Sequence, residues 1–243
     1  MRSSPSRPDD PRGVDPLWPG PAGFAHRGLH GPGVPENSLA AFEAALATGA
    51  GIECDLRLTA DGVPVVFHDR DAQRLCGDAR VISRVHRDEL RDLRLGGTDG
   101  PVPTLADLLD LAGGRVPLLL ELKDERNAPR FAAAVVAALH DYAGPVGVMS
   151  FAAGVGQWLA AHAPGVRRGL VLSGRDATLR RRDKLRRADP HFLAVKVSQL
   201  HQPWVHAARA AIPTYSWTVR SPADRARVER WADAAIWEGD GRP

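Results

Sequence analysis

The chain has 243 residues, of which 44% are hydrophobic and 25% are charged. This length suits one domain with a large core, and this composition excludes a mostly disordered chain. The net charge of +3 is too small to indicate a nucleic-acid-binding protein. No window approaches the roughly 18 apolar residues of a membrane-spanning helix, so we expect no stable membrane insertion. Two cysteines and no signal-peptide-like apolar run predict a cytoplasmic protein.

The chain opens with a segment rich in Pro, Arg, Asp and Ser, and we expect residues 1–21 to form a flexible or loosely packed tail. Residues 22–243 then alternate short apolar runs with helical patterns, which predicts one domain. The apolar runs are Ala22–His26, Ile52–Leu58, Leu118–Leu122, Val146–Ser150, Arg168–Leu172, Phe192–Val197, Ile212–Val219 and Ala234–Trp237. Eight strands alternating with helices at this length predict a closed (β/α)₈ TIM barrel.

Two regions depart from this alternation. Asp61-Gly62 separates the second run from Val63–His68, and Asp-Gly between two apolar runs indicates a hairpin. We therefore expect an antiparallel return strand and a small insertion over about residues 59–103, after the second barrel strand.

The second departure is at the C-terminal end, which we expect to be truncated and to lack an eighth helix. An uncovered strand would expose its apolar face to water, so another segment must cover that flank. The N-terminal segment, with Val14, Leu17 and Trp18, is the covering segment we expect, because it leads into the first strand.

Polar residues are concentrated where the predicted strands end, and catalytic groups of TIM barrels stand at that edge. The residues concerned are His26, Arg27, Glu53, Asp55, His68, Glu121, Lys123, Lys196 and Trp217. Glu53 and Asp55 are two apart on one strand, so their side chains share a face, and like charges there favour a bound cation. With Glu121 they predict either a magnesium or calcium site or three surface carboxylates paired with arginines.

The remaining polar residues at this edge match phosphate chemistry. His26 and His68 could supply a base and an acid near neutral pH. Arg27 and Lys123 would place positive charges where a phosphate oxygen could bind. Together with the carboxylates they indicate metal-assisted chemistry on a phosphate ester.

Several short motifs occur in one order along the chain. They are His26-Arg27-Gly28, Pro35-Glu36-Asn37-Ser38, Glu53-Cys54-Asp55, Asp61-Gly62, Pro64-Val65-Val66-Phe67-His68-Asp69, Pro103-Thr104-Leu105, Glu121-Leu122-Lys123 and Trp217-Thr218-Val219. In this order and at these spacings the sequence resembles the glycerophosphodiester phosphodiesterase family, of the phospholipase-C-like phosphodiesterase superfamily.

The resemblance implies a metal-dependent enzyme that hydrolyses glycerophosphodiesters to glycerol 3-phosphate and an alcohol. It implies one divalent cation, magnesium or calcium, held by Glu53, Asp55 and Glu121, and it makes His26 and His68 the general base and acid. The substrate's own glycerol hydroxyl would attack phosphorus, and water would open the resulting cyclic phosphate.

The same resemblance assigns the substrate-binding residues. Arg27 and Lys123 would bind the phosphate, and Trp217 would form an apolar wall for the glycerol carbons. Lys196 stands where the family often has an uncharged residue. We place it in the same mouth because only three of the 32 Lys and Arg residues are lysines and two of them end predicted strands.

Other functions remain open from the sequence. A lysophospholipase-D-like diesterase acting on lipid substrates and a non-catalytic barrel that binds phosphorylated ligands are the alternatives. A nucleic-acid binder that uses the basic run from Arg180 to Arg187 is disfavoured by the nearly balanced charge. We expect a small-molecule substrate, no nucleic-acid partner, and a monomer or homodimer.

Overall fold

The computed structural model describes residues 15–123 and 127–243. The strands in these residues are β1 (Phe24–His26), β2 (Gly51–Leu58), β3 (Pro64–Val66), β4 (Leu118–Leu122), β5 (Val146–Ser150), β6 (Arg167–Leu172), β7 (Phe192–Lys196), β8 (Thr214–Val219) and β9 (Ala234–Trp237). All except β3 pair in parallel, and β1 pairs with both β2 and β9, which closes the sheet. The result is the predicted eight-stranded (β/α)₈ barrel.

Helices connect the barrel strands and cover their outer faces. They are α1 (Leu39–Ala47), α2 (Gln73–Cys76), α3 (Leu105–Ala112), α4 (Ala128–Ala138), α5 (Ala153–His162), α6 (Thr178–Ala188), α7 (Pro203–Arg209) and α8 (Pro222–Trp231). Ser38 caps the N-terminus of α1, because its hydroxyl accepts the Ala41 N–H at 3.1 Å. None of the helices in the described residues is long and apolar enough to cross a membrane.

Large apolar side chains fill the barrel interior towards the N-terminal ends of the strands. Phe192 lies beside Gly169, whose substitution by any larger residue would place a Cβ 2.3 Å from the Phe192 ring. Leu17 is 1% exposed and belongs to this interior cluster, next to Gly147. The prediction of a flexible or loosely packed tail is therefore wrong for the part of residues 1–21 around Leu17, because burial of this side chain holds the segment against the barrel. Residues 1–14 lie outside the described part of the chain.

The outer flank at β9 is covered differently from the expectation. Leu17 enters the barrel rather than the flank, and Val14 lies outside the described residues. Trp237 of β9 turns outward, is 2% exposed, and donates its indole N–H to the Ala22 carbonyl at 2.7 Å. Trp18 lines a groove beside α8. The flank is thus covered in part by Trp237 of the strand itself and in part by the N-terminal residues beside it.

The insertion after β2 is present and has its own small core. β3 runs antiparallel to β2, with Leu56 opposite Val66. Val66 packs into the main core, while its neighbours Val65 and Phe67 belong to a separate apolar cluster inside the insertion. Because successive side chains of this segment point to opposite faces, it packs against both cores, and the chain then continues to His68.

Candidate active site

A cavity of about 670 Å³ opens at the carboxyl ends of the barrel strands. Eight of the nine predicted site residues line it, namely His26, Arg27, Glu53, His68, Glu121, Lys123, Lys196 and Trp217. The ninth, Asp55, is fully buried and contacts residues of that lining. The structure therefore brings all nine together, at the edge where TIM barrels carry their active sites.

Three buried carboxylates form the floor of the cavity. Glu53 and Asp55 project into the barrel from β2, and Glu121 lies opposite Asp55 in the β2–β4 pairing. Glu53, Asp55 and Glu121 each offer an oxygen within 4.8 Å of the others. Burial raises the pKa of Glu53 well above its usual value, and the charges of Asp55 and Glu121 add to the effect. A divalent cation would relieve this repulsion, and an all-oxygen set fits magnesium or calcium.

One lysine and one arginine offset part of this negative charge. The Lys123 ammonium lies 3.0 Å from Asp55 Oδ1 and 2.6 Å from Glu121 Oε1, and Arg27 Nε lies 3.0 Å from Asp55 Oδ2. Burial raises the pKa of Asp55, but Lys123 and Arg27 outweigh it and leave that pKa below the usual range. The alternative of three surface carboxylates paired with arginines does not hold, because all three are buried.

The loop after β1 adopts unusual backbone conformations that hold this arrangement. Arg27 has φ 58°, a left-handed conformation that strains a residue with a side chain. Its backbone N–H donates to Glu53 Oε2 at 3.2 Å. Asn37, with φ 56°, donates its side-chain amide to Asp55 Oδ2 at 3.0 Å and accepts the Asp55 N–H at 3.2 Å. Gly28 is required between them, since a Cβ would lie 2.8 Å from the Ala41 backbone.

His26 is oriented by a carboxylate that follows the last strand. Its Nδ1 lies 2.6 Å from Glu238 Oε2, and its Nε2 lies 3.9 Å from Glu53 Oε2. A carboxylate only accepts, so Nδ1 carries the proton and Nε2 of the neutral ring is left as an acceptor. Burial lowers the pKa of His26, although the hydrogen bond to Glu238 opposes that shift. Glu238 also accepts from Arg220 Nε at 2.5 Å.

His68 has a similar carboxylate partner on a different part of the chain. Its Nδ1 lies 2.7 Å from Asp69 Oδ1, and Asp69 Oδ2 accepts from Arg74 Nε at 2.5 Å. Arg57 donates two hydrogen bonds to the His68 carbonyl, at 2.8 and 3.0 Å, which fixes the backbone there. Burial lowers the pKa of His68, which keeps the ring neutral near pH 7.

The opposite wall of the cavity is aromatic and basic. Trp217 stands edge-on to Phe151 with ring centroids 5.5 Å apart, and its indole N–H donates to the Ala194 carbonyl at 3.0 Å. Lys196 lies beside Trp217 in the β7–β8 pairing and has an exposed side chain in the lining.

Sequence reasoning missed the partners of the two histidines. Glu238 directly follows the last apolar run, close to the C-terminal end. Its position at a strand end, which it shares with Glu121, was a usable signal. Asp69 lies inside a recognised motif, but nothing in the sequence distinguished an orienting carboxylate from a turn residue.

Comparisons with known proteins agree with this geometry. A model of the glycerophosphoryl diester phosphodiesterase family matches residues 26–237. A segment of 99 residues is 37% identical to a glycerophosphodiester phosphodiesterase of Caldanaerobacter subterraneus subsp. tengcongensis, covering 38% of this chain and 40% of that relative. The structure of a Thermotoga maritima glycerophosphodiester phosphodiesterase has a TM-score of 0.74 at 25% identity, covering 88% of this chain and 92% of that one.

A second solved structure, an Oleispira antarctica phosphodiesterase in complex with sn-glycerol-3-phosphate, has a TM-score of 0.79 at 24% identity and covers 88% of this chain and 91% of that one. The alignments to curated relatives span less than half of those relatives' lengths. The family match, in contrast, extends over most of the chain. The chain belongs to the glycerophosphoryl diester phosphodiesterase family.

Proposed function

We propose that this protein hydrolyses glycerophosphodiesters to glycerol 3-phosphate and an alcohol. The observation that carries the proposal is one cavity that holds two histidines, each with Nδ1 on a carboxylate, together with three buried carboxylates. Oriented imidazoles can accept and donate protons, and a cation held by the carboxylates stabilises charge at phosphorus. These residues together therefore fit the cleavage of a phosphodiester.

Glu53, Asp55 and Glu121 would hold one divalent cation, and magnesium and calcium are the candidates. Three close carboxylate oxygens and a raised pKa of Glu53 support this assignment. The bound cation would supply Lewis-acid stabilisation of the phosphate's negative charge. Lys123 and Arg27, already beside these carboxylates, would donate to the phosphate oxygens.

His26 and His68 carry the proton transfers in this proposal. In the first step a glycerol hydroxyl oxygen bonds to phosphorus, and one histidine Nε2 takes the hydroxyl proton. The bond from phosphorus to the departing alcohol breaks, and the other histidine, which must enter the step as an imidazolium protonated at Nε2, gives that proton to the alcohol oxygen. In the second step water adds to the cyclic phosphate, the histidines reverse their roles, and the bond from phosphorus to that glycerol oxygen breaks to give glycerol phosphate.

The positions of the two histidine partners support these roles. Glu238 and Asp69 each leave Nε2 of their histidine available, and both histidine pKa values lie below the usual value because of burial. A neutral ring suits the histidine that acts as base, whereas the histidine that acts as acid must be protonated at Nε2 before the step. Trp217 would pack against the glycerol carbons, because it presents an apolar surface in the same cavity.

The test is an assay of a panel of glycerophosphodiesters after removal of metal with EDTA, followed by addition of magnesium or calcium. We expect no turnover with chelator, recovery with one or both cations, and glycerol 3-phosphate among the products. The variant H26A, purified in the same way, controls for contaminating esterases. Full activity in excess chelator contradicts the metal assignment, and no turnover of any diester with either cation contradicts the function.

We also propose a cytoplasmic location and a small-molecule partner. Cys54 and Cys76 are free thiols, which supports a reducing compartment. Size-exclusion chromatography with light scattering distinguishes the monomer from the homodimer that the sequence left open.

A further inference from the structure

The cavity has a second group of charged residues away from the carboxylate floor. Lys196 ends β7, Arg175 lies in the loop between β6 and α6, and Arg220 follows β8. All three line the same cavity as the histidines. This half of the cavity is therefore basic, although the catalytic chemistry described above uses none of these three side chains.

The other cations of the lining already have carboxylate partners. Arg27 and Lys123 pair with the buried acids, and Arg220 pairs with Glu238. Asp224 also lines the cavity, but its carboxylate is already paired with another arginine, since its Oδ1 lies 2.8 Å from an Arg227 nitrogen. None of these groups is left to bind an additional charge on a substrate.

Lys196 and Arg175 differ from those cations. Within residues 15–123 and 127–243, neither side chain has a carboxylate within 4.0 Å or a hydrogen-bond acceptor. Even Asp176, next to Arg175 in the chain, lies 2.9 Å from the Lys184 ammonium instead. Among the described residues, two positive charges without a carboxylate partner thus line one cavity, where a cationic ligand group is repelled and an anionic one is attracted.

We propose that Lys196 and Arg175 form an anion subsite that selects diesters whose alcohol carries an additional carboxylate or phosphate. The proposal rests on the proposed function and names the class of its preferred substrate. With the scissile phosphate held at the carboxylate floor, the alcohol extends into the rest of the cavity, whose size suits a small-molecule ligand. Its additional negative charge then lies near the Lys196 ammonium and the Arg175 guanidinium.

Glycerophosphoserine and glycerophosphoethanolamine form a matched pair of probes, because they differ by one carboxylate on the alcohol. We expect kcat/KM to favour glycerophosphoserine by on the order of 10-fold at low ionic strength and by less at high salt. In the double variant K196Q/R175Q the ratio should fall towards one. R182Q is the matched control, since Arg182 is an exposed arginine of α6 outside the cavity lining.

A binding measurement keeps the inference testable without turnover. Calorimetric titration with phosphoserine and with phosphoethanolamine should show the same preference and the same loss in the double variant. Thermal melting of the double variant confirms that it is folded, as expected for two exposed side chains.

Two outcomes overturn the inference. One is a wild-type preference for glycerophosphoethanolamine. The other is a serine-to-ethanolamine ratio that the double variant leaves unchanged; if turnover of both probes then falls equally, Lys196 and Arg175 act on the scissile phosphate instead. Failure of the proposed function is distinguishable, because it abolishes turnover of both probes while the calorimetric preference is measured separately.

Discussion

The two ends of the barrel are built from the same strands but by different interactions. Towards the N-terminal ends, Phe24 and Phe192 pack against Tyr215 with ring centroids 5.4 and 5.3 Å apart, and Leu17 fills the remaining space. Towards the carboxyl ends, three buried carboxylates lie beside the cations Lys123 and Arg27. The end of the barrel at the N-terminal ends of the strands, the lower end, is stabilised by apolar burial. The end at their carboxyl ends, the upper end, keeps like charges together for chemistry.

Neutralising a carboxylate at the upper end should have the largest effect on activity. E53Q should lower kcat by on the order of 1000-fold or more, because cation binding and charge stabilisation at phosphorus are both weakened. Since burial, together with the charges of Asp55 and Glu121, raises the pKa of Glu53, the same change should raise the melting temperature of the metal-free protein. D110N, on the exposed face of α3, is the control. Normal turnover by E53Q would contradict the metal site.

Removing either histidine should reduce activity by less. H26A and H68A should each lower kcat by about 10²–10⁴, the range for general acid–base groups. The double variant should fall well short of the product of the two effects, because both residues act in one proton relay. H140A, at an exposed position, is the control for loss of a histidine. A single variant with near-normal kcat would remove that residue from the relay.

Truncation at the lower end should affect stability and not turnover. F192A should reduce the free energy of unfolding by about 3–5 kcal/mol, because it leaves a cavity among buried rings. Denaturant unfolding measures this, and kcat measured well below the melting temperature should stay within about 2-fold of wild type. L179A is the matched control, since Leu179 is 79% exposed. A large fall in kcat for folded F192A would show that the two ends are not independent.

Loosening the orientation of His26 should reduce activity by less than removal of the imidazole itself. E238Q should lower kcat by about 10–100-fold, as for other carboxylates that orient a histidine. The Glu238 hydrogen bond raises the pKa of His26, so its loss should lower that pKa further. His26, as the base, then stays neutral down to a lower pH. The acid limb of the pH profile of kcat/KM should therefore also move to lower pH. D240N is the control for the loss of a carboxylate. An acid limb that does not move in E238Q would rule out the proposed role of Glu238.

The sequence predicted the fold and the position of nine polar or aromatic residues at one edge of the barrel because both depend on local patterns. Each apolar run became a strand, since continuous apolar runs and strand-end polarity are set within a few residues. The spacing of Glu53 and Asp55 predicted that their side chains share a face, and the structure places both among the three clustered carboxylates.

What the sequence did not reveal depends on contacts between distant segments. Glu238 is separated from His26 by 212 positions, and only barrel closure through the β1–β9 pairing brings them together. Leu17 stands among polar and proline residues, so nothing local indicates that it enters the barrel. The outward turn of Trp237 onto the Ala22 carbonyl is likewise a result of closure.

The separate apolar cluster of the insertion places the two histidines of the site on parts of the chain with different cores. His26 belongs to the barrel, whereas His68 ends the segment that Val65 and Phe67 anchor in the insertion core. A local opening of that core would withdraw His68 while leaving the carboxylate floor formed by β2 and β4 in place. Hydrogen exchange should therefore show protection of the insertion amides lost at a lower free energy than protection of the barrel strands. The enzyme would then pass through a state that binds metal but cannot complete proton transfer.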